Sequence, residues 1–192
     1  IRKFLISQLT VGISAVLVAF LGPFFGYDLP LTMTQLLWVN IIMDTLAGLA
    51  FAGEAALSRY MLEKPLPRDE RLISPDMWSA ILLNGSMVAL LSLWFLTSDF
   101  TQELFSGGHA VGSPEAQAKF LTAFFAFFVL MHLSNTFNAR TQGLDLFENI
   151  LDNQLFQIII PLIVVIQVIF ITFGGEILRT VGLSMQEWIY VL

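Results

Sequence analysis

Two side chains in an otherwise apolar run carry the most telling chemistry of this sequence. Asp44 is the sole charged residue between Leu29 and Gly53. It lies about 15 residues into that run, which places it near the midplane of a bilayer, where a carboxylate costs at least about 2.5 kcal/mol. Asn40 precedes it by one helical turn, at i, i+4. The spacing predicts that amide and carboxylate share a face and offer two oxygen ligands to a hard cation. Calcium usually takes about six to eight oxygens, so other segments must supply the rest. The competing reading is a protonated acid hydrogen-bonded to a neighbouring helix. Glu54, at the end of the same run, is within reach of water and reads as a solvated group.

A second polar cluster, His132, Ser134, Asn135, Thr136 and Asn138, follows the aromatic run Phe124-Phe125-Ala126-Phe127-Phe128. His132, Asn135 and Thr136 fall at i, i+3, i+4, the spacing of buried interhelical hydrogen bonds. Proton handling by His132 is the alternative, since an imidazole titrates near physiological pH. The outer half of this span is free to face lipid.

The elements that position these groups follow from composition. Of 192 residues 56% are hydrophobic and 12% charged, and the mean hydropathy is +0.77. These values predict an all-α membrane protein, residues 1–192 forming one domain in the lipid bilayer. Five complete transmembrane helices are expected at about 4–27, 31–56, 77–98, 118–139 and 154–174, with a truncated sixth from 187. A net charge of −6, with no phosphate-binding glycine loop, excludes nucleic acid as a partner. The absence of cysteine excludes thiolate metal sites. The chain begins at Ile1 without a Met, runs at once into a span and stops inside another, which reads as a piece of a longer polypeptide.

Arg2, Lys3, Arg59, Lys64, Arg68, Arg71 and Arg140 fall on one side of the expected spans, against Lys119 and Arg179 on the other. The first set is therefore expected on the cytoplasmic side. The loop from Ser58 to Asp76, which also carries Glu63, Asp69, Glu70 and Asp76, is either a contact surface for cytoplasmic domains or simply solvated. Gly12, Ala15, Ala19 and Gly22 in the first span, and Gly85 and Ala89 in the third, are expected to admit a close helix neighbour. Pro161 is expected to kink or loosen the fifth.

The stretch Gln35-Leu36-Leu37-Trp38-Val39-Asn40-Ile41-Ile42-Met43-Asp44-Thr45 resembles the sixth transmembrane helix of P-type calcium-transporting ATPases of the plasma-membrane subgroup. The likeness continues through Lys64-Pro65, Arg68, Leu72-Ile73-Ser74, Asn135-Thr136-Phe137-Asn138-Ala139-Arg140 and Phe173-Gly174-Gly175. It implies that the spans are the fifth to ninth helices of a ten-helix pump, with a truncated tenth. Asn40 and Asp44 would ligate calcium, the transported substrate, and the site would be completed by carbonyls and a Glu from an unwound fourth helix outside this chain. The positions that supply a second site in reticulum-type pumps are here Gly12, Ala15, Met43 and His132, so the resemblance implies a single site. It also makes His132, in place of a carboxylate, a candidate for counter-transported protons.

The phosphorylation motif Asp-Lys-Thr-Gly-Thr is absent from the sequence. Mg-ATP would therefore act only through other parts of the pump, and the partners would be its amino-terminal helices and cytoplasmic domains. The fragment alone is not expected to be catalytic. The location implied is the plasma membrane. An ion-coupled secondary transporter or a standalone ion-binding subunit is the competing class, but no second Asn-x-x-x-Asp copy indicates the inverted repeat common in such folds.

Overall fold

The computed structural model describes residues 2–54, 72–140 and 152–191, and over these the chain is helical with no strand. Helix α1 (Arg2–Leu21) leads into a 3-10 turn at Gly22–Phe25, closed by Gly26 in the left-handed region at φ 89°. The next crossing is interrupted: α2 (Met33–Leu37) gives way to a π-helical segment (Trp38–Met43) and then to α3 (Asp44–Ala52). There follow α4 (Pro75–Thr97), α5 (Asp99–Leu104), α6 (Pro114–Arg140), α7 (Gln154–Phe173), α8 (Gly175–Leu178) and α9 (Met185–Val191). Five units, Arg2–Phe25, Met33–Ala52, Pro75–Thr97, Pro114–Arg140 and Gln154–Phe173, are long and apolar enough to cross a membrane.

Local sequence fixes where the helices begin. Ser74 accepts from the Met77 N–H at 3.3 Å, and Pro75 follows at the first helical position, where its missing N–H is no loss. Thr32 and Gln35 cap α2 reciprocally, as Ser184 and Glu187 cap α9. Asn153 accepts from the Phe156 N–H to start α7. Pro161, expected to kink or loosen this span, lies inside α7, which is helical on both sides of it.

The aromatic run lies at the centre of the bundle, which corrects the expectation that its outer half faces lipid. Phe124, Phe125 and Phe128 are fully buried. Phe95 of α4 packs its ring within 4.8–5.8 Å of those of Phe105, Phe120, Phe124 and Phe127. Lipid and protein interior are equally apolar, so hydrophobicity does not separate a lipid-facing ring from a buried one.

Close approach of α1 and α4 occurs at Gly85, where an added Cβ would lie 3.0 Å from Ile13 Cγ2 and 3.5 Å from the Thr10 carbonyl. The α1 side of this packing differs from the expected glycine and alanine face. Ser7, Thr10, Val11, Ser14, Ala15 and Val18 are buried, whereas Gly12 has open space beside it and Ala19 is exposed. The hydroxyls serve as small residues because Thr10 and Ser14 donate to their own helix, at Ile6 O and Val11 O.

At the end of the bundle where α6 begins, Lys119 Nζ lies 2.9 Å from Glu187 Oε1, tying α6 to α9. Lys119→Met is expected to cost about 1 kcal/mol, because the pair is largely shielded but Ser184 still holds the carboxylate. Thermal unfolding in detergent reads this as a lower melting temperature, and an unchanged one would show that the pair contributes nothing. Arg59, Glu63, Lys64, Pro65, Arg68, Asp69, Glu70 and Arg71, expected in a cytoplasmic loop, and residues 141–151 lie outside the described residues.

Candidate cation site

The π segment decides which way Asp44 points. Counted at about 100° per residue, nine residues of unbroken α-helix place Asp44 about 180° from the buried Gln35, on the opposite face. A turn closed by i→i+5 bonds absorbs one extra residue and turns the rest of the helix back by about 100°. The buried positions record this shift: Gln35, Trp38 and Val39 are followed by Met43, Asp44, Ala47 and Ala50. The Asp44 N–H donates to the Val39 carbonyl, five residues back.

Asp44 is 5% exposed. Its carboxylate makes no hydrogen bond or ion pair with another described residue. Asn40, one turn earlier, is exposed. The two residues therefore stand on one broken helix but in different surroundings, Asp44 inside the described bundle and Asn40 on its surface. No group of three or more His, Cys, Asp or Glu side chains among the described residues forms a metal site. The remaining oxygens for a cation at Asp44 must thus come from backbone, from neutral side chains or from elements beyond these helices.

Polar bonds that the spacing of charged residues did not reveal hold the broken helix at both ends. On the outer half, Gln35 Nε2 donates to the Leu178 carbonyl at 2.9 Å, and Trp38 Nε1 donates to Gln167 Oε1 of α7 at 2.6 Å. On the inner half, Asn153 Nδ2 donates to the Ala50 carbonyl at 2.9 Å. Gln167 was legible in principle, as a lone amide between Ile158 and Ile171.

Glu54 corrects the solvated reading. It pairs with Lys3 of α1 and with Arg140 of α6, whose Nε lies 2.8 Å from Glu54 Oε1. Arg140 is 4% exposed, and its guanidinium sits 5.2 Å from the Phe156 ring centroid. Three chain segments thus meet on one carboxylate at the end of α3.

His132, Asn135 and Thr136 are all buried, as their shared face predicts. Thr136 donates to the His132 carbonyl. Ser14 gives its proton to Val11 O at 2.8 Å, so its oxygen accepts from His132 Nε2 at 3.1 Å. His132 Nδ1 is then a buried acceptor, and it and Asn135 Nδ2 have no partner among the described residues. The ring packs edge-on against Phe128, with centroids 4.4 Å apart. This cluster joins α6 to α1 and shares no bond with Asp44.

These features define a multi-span helical membrane domain with a carboxylate turned inward from a broken helix. Residues 28–192 match the family model described as cation transporting ATPase, C-terminus, and the chain belongs to that family. It is 39% identical over 195 residues to plasma membrane calcium-transporting ATPase 1 of Homo sapiens, covering 99% of this chain and 16% of that protein. Plasma membrane calcium-transporting ATPase 3 of Homo sapiens is 40% identical over 199 residues, covering 100% of this chain and 16% of that protein. The Gallus gallus ATPase 1 is 38% identical over 195 residues, again 99% of this chain and 16% of the relative. The chain thus spans about one-sixth of the length of these relatives.

Proposed function

We propose that this chain is the carboxy-terminal transport domain of an ATP-driven calcium pump of the plasma membrane, and that Asp44 and Asn40 contribute to a single calcium site. The observation that carries this reading is Asp44: a buried carboxylate with no protein partner among the described residues, turned inward by a π segment. An unpartnered charge in that position is costly and is explained by a cation that neutralises it. Exposed Asn40 supports a site completed from outside these helices, by the amino-terminal helices of the same pump. Mg-ATP would act on cytoplasmic domains that this chain lacks, and the coupled movement would switch the affinity at Asp44 between two states.

The single-site reading is supported by the residues at the second-site positions. Gly12, Ala15 and Met43 bring no charged oxygen, and His132 brings an imidazole bonded to Ser14.

The test is ATP-dependent uptake by the full-length protein reconstituted in vesicles, with calcium and manganese compared. The expected result is calcium uptake at one ion per ATP hydrolysed. Two ions per ATP would overturn the single site, and no calcium uptake would overturn the pump reading.

A further inference from the structure

We propose that Gln167, on the ninth-helix equivalent α7, is a positioning residue for the cation site, acting through Trp38. This inference rests on the assignment of Asp44 to that site. Gln167 is 1% exposed in a helix whose neighbouring residues are apolar. An amide in that place is costly unless it is used, and one of its two polar atoms is used. Its Oε1 takes the indole N–H of Trp38 at 2.6 Å, while its Nε2 has no acceptor among the described residues. Simple helix adhesion does not require a side chain that leaves a buried donor unpaired. An apolar pair, Leu or Met at 167 with Phe at 38, would pack α7 against the interrupted helix without that cost.

What the bond fixes is the first residue of the π segment. Trp38 is 2% exposed, and its ring packs on Phe170, one turn beyond Gln167, with centroids 4.7 Å apart. The indole is thus held in both position and rotation by two α7 residues. The i→i+5 segment begins at Trp38 and ends at Met43, so the direction of Asp44 depends on this segment being kept between the anchored Trp38 and the carboxylate. Loss of this segment, or its migration past Asp44, carries a rotation of about 100°. At the far end Asn153, the cap of α7, holds the Ala50 carbonyl. Helix α7 thereby splints the interrupted helix on both sides of Asp44, with the variable segment between the two attachments.

The experiment uses the full-length pump in native membranes and reads the calcium concentration for half-maximal ATP-dependent uptake, separately from the maximal rate and the melting temperature. Gln167→Met, Trp38→Phe and the double variant are compared with Asp44→Asn. Each single variant is expected to raise the half-saturating calcium concentration about threefold to eighteenfold, the range of an interhelical hydrogen bond of about 0.6–1.7 kcal/mol. The double variant, which leaves no unpaired group from this bond, is expected to fold like the wild type and keep the same increase, no larger than either single. Wild-type calcium dependence in the double variant would reduce the bond to a structural one and overturn the proposal, as would independent, multiplying effects of the two singles. If Asp44→Asn itself retains normal calcium dependence, the cation-site reading fails. If Asp44→Asn abolishes uptake while Gln167→Met leaves the calcium dependence unchanged, the positioning role alone fails.

Discussion

Asp44→Asn in the full-length pump is expected to weaken calcium activation about 100-fold, equivalent to about 2.7 kcal/mol, without lowering the stability of the membrane domain. The two effects have different causes. A carboxylate oxygen carries the charge that a divalent ion needs, and an amide oxygen does not replace it. In the absence of the ion, Asp44 has no hydrogen bond or ion pair with a described residue to lose. Removing a buried charge then relieves a desolvation cost, so the melting temperature without calcium should hold or rise. Stabilisation by added calcium should disappear, because it comes from binding to the folded state alone. Vesicle uptake and thermal unfolding with and without calcium measure all three. Uptake within about threefold of the wild type would sink the site assignment. A lower melting temperature in calcium-free buffer would mean that Asp44 has a stabilising partner outside these helices.

Glu54→Gln should act in the opposite way, through the fold. The change leaves Arg140, 4% exposed, beside Lys3 with their shared counter-charge removed. Breaking a buried ion pair from one side costs about 3–5 kcal/mol, and the partial exposure of Glu54 places this case at the lower end. Lys3→Met should cost less than about 1 kcal/mol, since Lys3 is more exposed and Arg140 stays paired. The order of melting temperatures is therefore wild type, then Lys3→Met, then Glu54→Gln. A reversal would show that the Arg140 pair is not what closes this end of the bundle. Arg140→Met combined with Glu54→Leu should recover much of the loss, because the buried guanidinium is gone and the remaining charge, on Lys3, is 23% exposed and reaches water.

Hydrophobic length made much of the architecture legible. The five apolar runs correspond to five helices long enough to span, and Ser74, Asn153 and Ser184 mark helix starts by their side-chain oxygens. The motif around Asn40 and Asp44 pointed to a family that the comparison of residues 28–192 then showed. Inward burial of His132, Asn135 and Thr136 followed from their spacing on one helix face.

The rest depended on tertiary context. Sequence gives no period that distinguishes a π turn from an α turn across Trp38–Met43, because the difference is one residue in the hydrogen-bond ladder, chosen by packing. That one residue turns Asp44 from the outer face to the interior and leaves Asn40 on the surface. Apolarity likewise did not say which rings face lipid, and packing placed Phe124, Phe125 and Phe128 at the centre. Glu54 looked solvated because its partners lie far away along the chain, at Lys3 and Arg140, and only folding brings the three together. Local residue chemistry thus determined what each segment is: a span, a turn or a helix start. Long-range contacts decided which way the segments turn and which charges meet, since those choices rest on neighbours that no local pattern encodes.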